Sequence, residues 1–281
     1  MSNSLSFVSF ILSTKQTAGS HRKKCPMSLL SRSLDKLRKV LAQRRSHQDD
    51  FDWDTYPSQY ELQLSEIQRV HTLRLSPGDY IFSNGRLTLQ REIFPLHPNH
   101  RLLYETILQL QAKSIMEVGC GGGDHLFNLM IVSPQTQLHG CDRSKEMLAL
   151  ARGRSPDLRA DMQVLGITLA NHTLLPSVDV CFTQAVIMHI KGGGRHLVAL
   201  TNLFRIATRQ VVLMENWTQH NFLSDIQMLY GREKIPWHDL FFYYRVSPEL
   251  NRPHLMVVSA HPLHYPSLTD YRILLNPLLA K

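Results

Sequence analysis

From Ser114 onward, apolar positions fall in short runs separated by amphipathic stretches and turn residues. Runs that lack clean alternation are the pattern of strands buried on both faces. The spacing predicts strands over 114–118, 137–141, 161–165, 178–183, 210–214, 241–245 and 255–260. Between them it predicts helices over 124–132, 145–152, 195–207 and 220–230. Strand–helix alternation of this kind points to an α/β fold, a doubly wound and largely parallel sheet.

The pattern upstream differs. Residues 60–111 read as a helical and hairpin-like appendage, with Ser83-Asn84-Gly85 as a turn between two apolar stretches. Pro95 and Pro98 punctuate a linker. A helix then runs to about Gln111, capped by Asn99 or His100 and carrying Leu102, Leu103, Ile107, Leu108 and Leu110. Leu34, Leu37 and Leu41 form a stripe among basic residues, suited to packing on the protein itself or resting on an anionic surface. The resulting division is a basic leader over 1–48, an appendage or lid over 49–98, and the main domain over 99–281.

Charge sharpens this division. Of the net +8, the first 45 residues hold ten of the 31 Lys and Arg and one of the 23 acids. The remainder therefore carries 21 bases against 22 acids, and the core shows no basic excess that would track phosphates. No apolar run reaches the length of a membrane-spanning helix, so no transmembrane segment is expected. Leu5–Leu12 is a short apolar run without a preceding positive region or a small-residue cleavage site, unlike a secretory signal. The leader fits a disordered tail, translation from a start upstream of Met27, or an organelle transit peptide. A cytoplasmic location is the expectation, with organelle targeting by the leader left open. Cys25, Cys120, Cys141 and Cys181 form no C-x-x-C pair, so neither a disulfide framework nor a metal site is expected.

The chemistry concentrates at Ile115-Met116-Glu117-Val118-Gly119-Cys120-Gly121-Gly122-Gly123-Asp124. A buried strand runs into a glycine-dense turn and then into a helix, whose first N–H groups are free. Ligands of open α/β sheets sit outside the carboxyl ends of the strands. Asp142 ends the next strand, 25 residues after Glu117, where a carboxylate can accept both hydroxyls of a ribose. The alternative is that Asp142 only begins a helix, with Ser144 as a further candidate cap.

E-V-G-C-G-G-G followed by G-C-D-R-S-K-E-M-L resembles the first two motifs of class I S-adenosylmethionine-dependent methyltransferases. The resemblance spans about residues 99–260. It implies a Rossmann-like doubly wound sheet of seven strands in the order 3-2-1-4-5-7-6, the last strand antiparallel, and S-adenosylmethionine as cofactor. It places Glu117, Gly119, Cys120, Gly121, Gly123, Asp142, Arg143, Gly166, Ile167 and Gln184 against that cofactor. Many family members carry an acid after strand three for the adenine amino group. This chain has Val164-Leu165-Gly166-Ile167-Thr168 there, leaving backbone groups or the Thr168 hydroxyl as substitutes.

His189, just past the fourth strand, is the candidate general base for an acceptor hydroxyl. Its alternative is to shape the pocket wall or cap the loop before Gly192–Gly194. Glu215, Asn216 and Trp217 follow the fifth strand and are candidates for the substrate rim, with His220 beyond them. Trp217 is equally suited to plugging the core under the next helix. Trp53, Tyr56 and Tyr60 are candidates for a lid.

Absences narrow the acceptor. The Asn/Asp-Pro-Pro-aromatic run of nucleobase amine methyltransferases is replaced by Thr183-Gln184-Ala185-Val186. No Pro-Cys or Thr-Cys dipeptide supplies a cytosine-C5 nucleophile, and the paired-glutamate loop of arginine methyltransferases is missing. A hydroxyl of a small molecule or glycan is the acceptor that remains. Three rival readings stand beside it. One is an NAD(P)-dependent oxidoreductase using Tyr230 and Lys234, although its glycine pattern fails at Asp124 and His125. The others are a non-catalytic cofactor-binding protein and an RNA methyltransferase tethered by the leader.

Overall fold

The computed structural model describes residues 52–169, 175–217, 219–246, 253–276 and 278. The leader over 1–48, its Leu5–Leu12 run, its Leu34 stripe and Cys25 lie outside them. The described residues belong to one compact unit beginning at Asp52.

Seven strands of the main sheet fall on the predicted apolar runs, with helices described in four of the six gaps between them. They are β3 (Ser114–Val118), β4 (Gln137–Asp142), β5 (Ala160–Val164), β6 (Val178–Gln184), β7 (Ala207–Met214), β8 (Phe241–Val246) and β9 (Pro253–Ser259). Hydrogen bonding orders them β8-β9-β7-β6-β3-β4-β5, which is 3-2-1-4-5-7-6 when counted from β5 with β3 as strand one. Neighbours are parallel except at β9, which runs antiparallel to both β7 and β8. An eighth strand departs from the expected seven: β10 (Thr269–Asp270) pairs antiparallel with β8 and extends that edge.

The apolar runs are explained by two cores, one on each face. Ile115, Val180, Phe182 and Val212 point into one, with Leu103, Leu126, Leu129 and Leu148. Met116, Cys181, Val211 and Leu213 point into the other, with Leu200, Leu203, Phe204 and Phe222. Successive residues of one strand enter opposite cores, so both parities must be apolar. The first core is covered by α2 (Pro98–Gln109), α3 (Asp124–Val132) and α4 (Lys145–Arg154). The second is covered by α5 (Arg195–Ile206), α6 (Phe222–Gly231) and the short α7 (Tyr271–Leu275). Among the described residues no helix is long and apolar enough to cross a membrane.

The appendage contains α1 (Pro57–Ile67) and a hairpin of β1 (Tyr80–Ser83) and β2 (Arg86–Leu89). Ser83 pairs with Arg86, and the two turn residues have positive φ, 49° at Asn84 and 75° at Gly85. That is the two-residue turn whose twist matches the flanking strands, and Asn-Gly tolerates it best. Helix α2 starts one position earlier than its predicted caps. Pro98 takes the first turn and His97 Nδ1 accepts the Asn99 N–H at 3.3 Å.

Asn128 on α3 fastens the appendage to the sheet. It is fully buried, donates to the Leu73 carbonyl and the Tyr104 hydroxyl, and accepts the Leu75 N–H. Asn128→Ala leaves a buried N–H and carbonyl without partners and is expected to cost about 2 kcal/mol. Urea unfolding checks this; a midpoint unchanged from the parent protein would remove Asn128 from this role.

Candidate functional site

The crevice is built where β3 and β4 end side by side. Glu117 pairs with Gly140 and Val118 with Cys141. The chain after Val118 turns back so that the N–H groups of Gly119 and Cys120 both donate to the Cys141 carbonyl, at 2.7 and 3.1 Å. This requires φ of +75° at Gly119, and Gly121 and Gly123 also have positive φ. A Cβ on Gly119 would lie 2.4 Å from Val186, in the segment that follows β6. At Gly122 a Cβ would lie 2.4 Å from the Tyr60 ring. Glycine is demanded from both sides of the turn.

Asp142 closes the turn from β4. Its Oδ2 accepts the Gly121 N–H at 2.9 Å and its Oδ1 the Ser144 N–H at 2.8 Å. Burial raises its pKa, opposed by these two N–H donors and Arg143. A carboxylate offers about four acceptor positions, so two remain for ligand hydroxyls. Capping of α4 falls to Ser144, whose Oγ accepts the Met147 N–H.

Glu117 is 2% exposed, and its Oε2 has no hydrogen-bond partner. Its pKa is raised well above the ordinary carboxylate value, by burial first and then by the charges of Asp124 and Asp142. A buried acid in this condition is suited to a cationic or hydrogen-donating ligand. Cys120 and Cys141 flank it, but burial pushes both thiols up, Cys141 to about 12, so neither is a nucleophile near neutral pH.

Aromatic residues of the appendage cover this turn. The Tyr60 hydroxyl donates to Asp124 Oδ2 at 2.6 Å, where Arg154 Nη1 also donates at 2.8 Å. Burial and the Asp124 charge hold the Tyr60 phenol well above its ordinary pKa. Tyr56 tilts against Tyr60, and Trp53 meets both Tyr56 and His189 edge-on with centroids 5.4 Å apart. The lid candidates, the glycine turn and His189 are thus brought together.

The segment after β6 holds His189 in a 3-10 turn, Ile187–His189. Its entry is strained: Ala185 has φ of +53°, in the region that favours glycine. Glu215 stabilises the turn from β7. It is buried, and its carboxylate accepts the N–H groups of Val186 and Met188 at 3.1 Å. Glu215 is thus engaged by the turn that carries His189. Trp217 stacks on Tyr271 at 5.8 Å and is half-buried, with one side packed against the second core. Asn216 and His220 are half-buried beside it. Gln184 ends β6 with a buried, unpartnered Oε1.

Beyond β5, Gly166 and Leu169 close a short turn that Asn202 on α5 holds through the carbonyls of Ile167 and Leu169. A Cβ on Gly166 would approach Arg143 at 3.8 Å, so the turn and the end of β4 are adjacent. Asn202 and Arg154 are the supporting residues that sequence reasoning missed; their partners lie 30 or more positions away, without local signal. The Tyr230 hydroxyl is spent on the His238 carbonyl, in an exposed position.

Residues 110–227 match a family model described as a methyltransferase domain. No curated protein matches the chain. Among solved structures, magnesium protoporphyrin IX methyltransferase of Synechocystis PCC 6803 with bound SAM is 13% identical, with a TM-score of 0.44 over 84% of this chain and 99% of that one. The methyltransferase domain of bacterial CtHen1 is 18% identical, with a TM-score of 0.45 over 58% and 97%. The plantazolicin methyltransferase BpumL, in complex with a monoazolic desmethylPZN analog and SAH, is 13% identical, with a TM-score of 0.45 over 83% and 98%.

Proposed function

We propose that this chain, whose residues 110–227 match a methyltransferase domain, is a class I S-adenosylmethionine-dependent methyltransferase whose acceptor is a hydroxyl of a small molecule or glycan, with His189 as its base. The observation that carries the cofactor placement is Glu117, a buried acid with an unpartnered oxygen at the mouth of a turn that admits no side chain at Gly119 or Gly122. S-adenosylmethionine, when bound, would supply a sulfonium methyl group whose carbon an acceptor oxygen attacks in line, with S-adenosylhomocysteine as the leaving group.

The chain's own residues then have separate tasks. Glu117 answers the amino cation of the methionine portion, and the two open acceptor positions of Asp142 answer the ribose hydroxyls. Gly119, Cys120, Gly121 and Gly123 present backbone to the ligand; Arg143, Gly166, Ile167 and Gln184 border its other end. Trp53, Tyr56 and Tyr60 exclude water, which strengthens every polar contact beneath them. His189 takes the proton of the acceptor hydroxyl, its imidazole held by the Glu215-anchored turn and by the edge of Trp53. Asn216 and Trp217 remain the proposed rim.

Thermal unfolding with S-adenosylhomocysteine tests the cofactor half. At about 100 times its dissociation constant the ligand adds about 2.7 kcal/mol, or several degrees at roughly 2–4 °C per kcal/mol. Asp142→Ala is expected to lose most of this shift. A full shift in the variant, or a shift with NADH alone, would overturn the assignment. For the acceptor half, His189→Asn is expected to slow transfer to hydroxyl acceptors while leaving the homocysteine compound's affinity within about twofold. Equal transfer rates would remove the base.

A further inference from the structure

Two histidines and an aspartate that the crevice does not use converge where α5 and α6 begin. His196 lies in the first turn of α5, His220 precedes α6, and Asp225 lies in its first turn. The imidazole rings stack, with centroids 4.1 Å apart and planes within 13°. His196 Nε2 lies 3.5 Å from Asp225 Oδ2. The Nε2 of His220 is buried and has no hydrogen-bond partner. One ligand atom from each residue lies within 4.8 Å of the others, and among the described residues no other trio of His, Cys, Asp or Glu does so.

This arrangement is costly for a metal-free protein. Stacked imidazoles repel one another when protonated, and when neutral the buried His220 nitrogen wastes a hydrogen bond. We propose that His196, His220 and Asp225 form a site for a divalent transition-metal ion of the zinc class, its fourth position open to water or an oxygen ligand. Two nitrogens and one carboxylate are a ligand set that zinc accepts. Bonds of about 2.0–2.2 Å place tetrahedral ligands roughly 3.3 Å apart, so the trio closes by about an ångström around the ion.

The ion ties together the segments that follow β6 and β7, at the same end of the sheet as the glycine turn. His196 comes from one segment of the chain and His220 with Asp225 from another, which is why no single spacing announces the site.

The test uses the full chain without a histidine tag, stripped with a chelator. It is titrated with Zn²⁺ alone by calorimetry and with Co²⁺ by visible absorption. One equivalent is expected, with the Co²⁺ bands of a four-coordinate site. His220→Gln and Asp225→Asn are each expected to weaken binding at least tenfold, with folding verified by circular dichroism. A second group of histidine rings, His71, His97, His100 and His125, packs in succession elsewhere, so His71→Gln serves as the control and is expected to bind as the parent does. No stoichiometric binding, binding that survives both variants, or loss in His71→Gln alone would overturn the site.

Discussion

Replacing Glu117 with Gln is expected to weaken S-adenosylhomocysteine binding about 10- to 100-fold while relieving a pH-dependent cost in the ligand-free fold. The affinity loss follows from a charge-assisted hydrogen bond, worth about 1.5–3 kcal/mol, to the ligand's amino cation. The pH effect has a definite sign. Glu117 holds its proton in the folded chain over a range where the unfolded chain has released it. The parent fold therefore loses stability as pH rises from the ordinary carboxylate range toward the raised value, and the Gln variant lacks this contribution. Binding a cation reverses the bias, so the parent is expected to release a proton on binding and the variant none. Calorimetry in two buffers of different ionisation enthalpy reads that proton directly. A variant that binds as tightly and with the same buffer dependence as the parent would refute the contact.

Glu215→Ala is expected to destabilise the protein by about 2–4 kcal/mol, because the half-buried N–H of Val186 and the buried N–H of Met188 lose their acceptor. Glu215→Gln keeps one accepting oxygen and is expected to retain about half of that stability. Both variants are expected to lower the turnover number more than the affinity for S-adenosylhomocysteine, since the turn they loosen carries His189 and not the ribose carboxylate. Chemical denaturation and single-turnover rates separate the two effects. A stable Ala variant with normal turnover would show that the turn holds itself.

What the sequence made legible was local. The glycine turn, Asp142 and the helix start at Ser144 lie within a few tens of residues, and each residue type announces its backbone task. Asn84-Gly85 likewise reports its two positive φ angles directly. The sheet order followed from the resemblance, carried by the same local motifs. What stayed hidden depends on partners distant in the chain. Glu215 looks like a polar residue emerging from a strand end, and only the turn after β6 shows why it points inward. Trp217 is placed by Tyr271, more than fifty residues on. The two-residue strand at Thr269–Asp270 is too short to carry a pattern. Asp124 looked like an ordinary first-turn acid, yet it gathers Tyr60 and Arg154 from both directions.

The bond from Gly121 to Asp142 closes a loop of 21 residues, whereas Trp53 and His189 are joined across more than a hundred. The entropy of closure grows with loop length, and contacts between near neighbours in the chain are reached sooner during folding. The glycine turn with Asp142 is therefore a nearly self-contained cassette, whereas the contact of the appendage with the His189 turn closes over a far longer stretch of chain. Substitutions around Trp53 and His189 are therefore expected to leave the glycine turn and Asp142 intact.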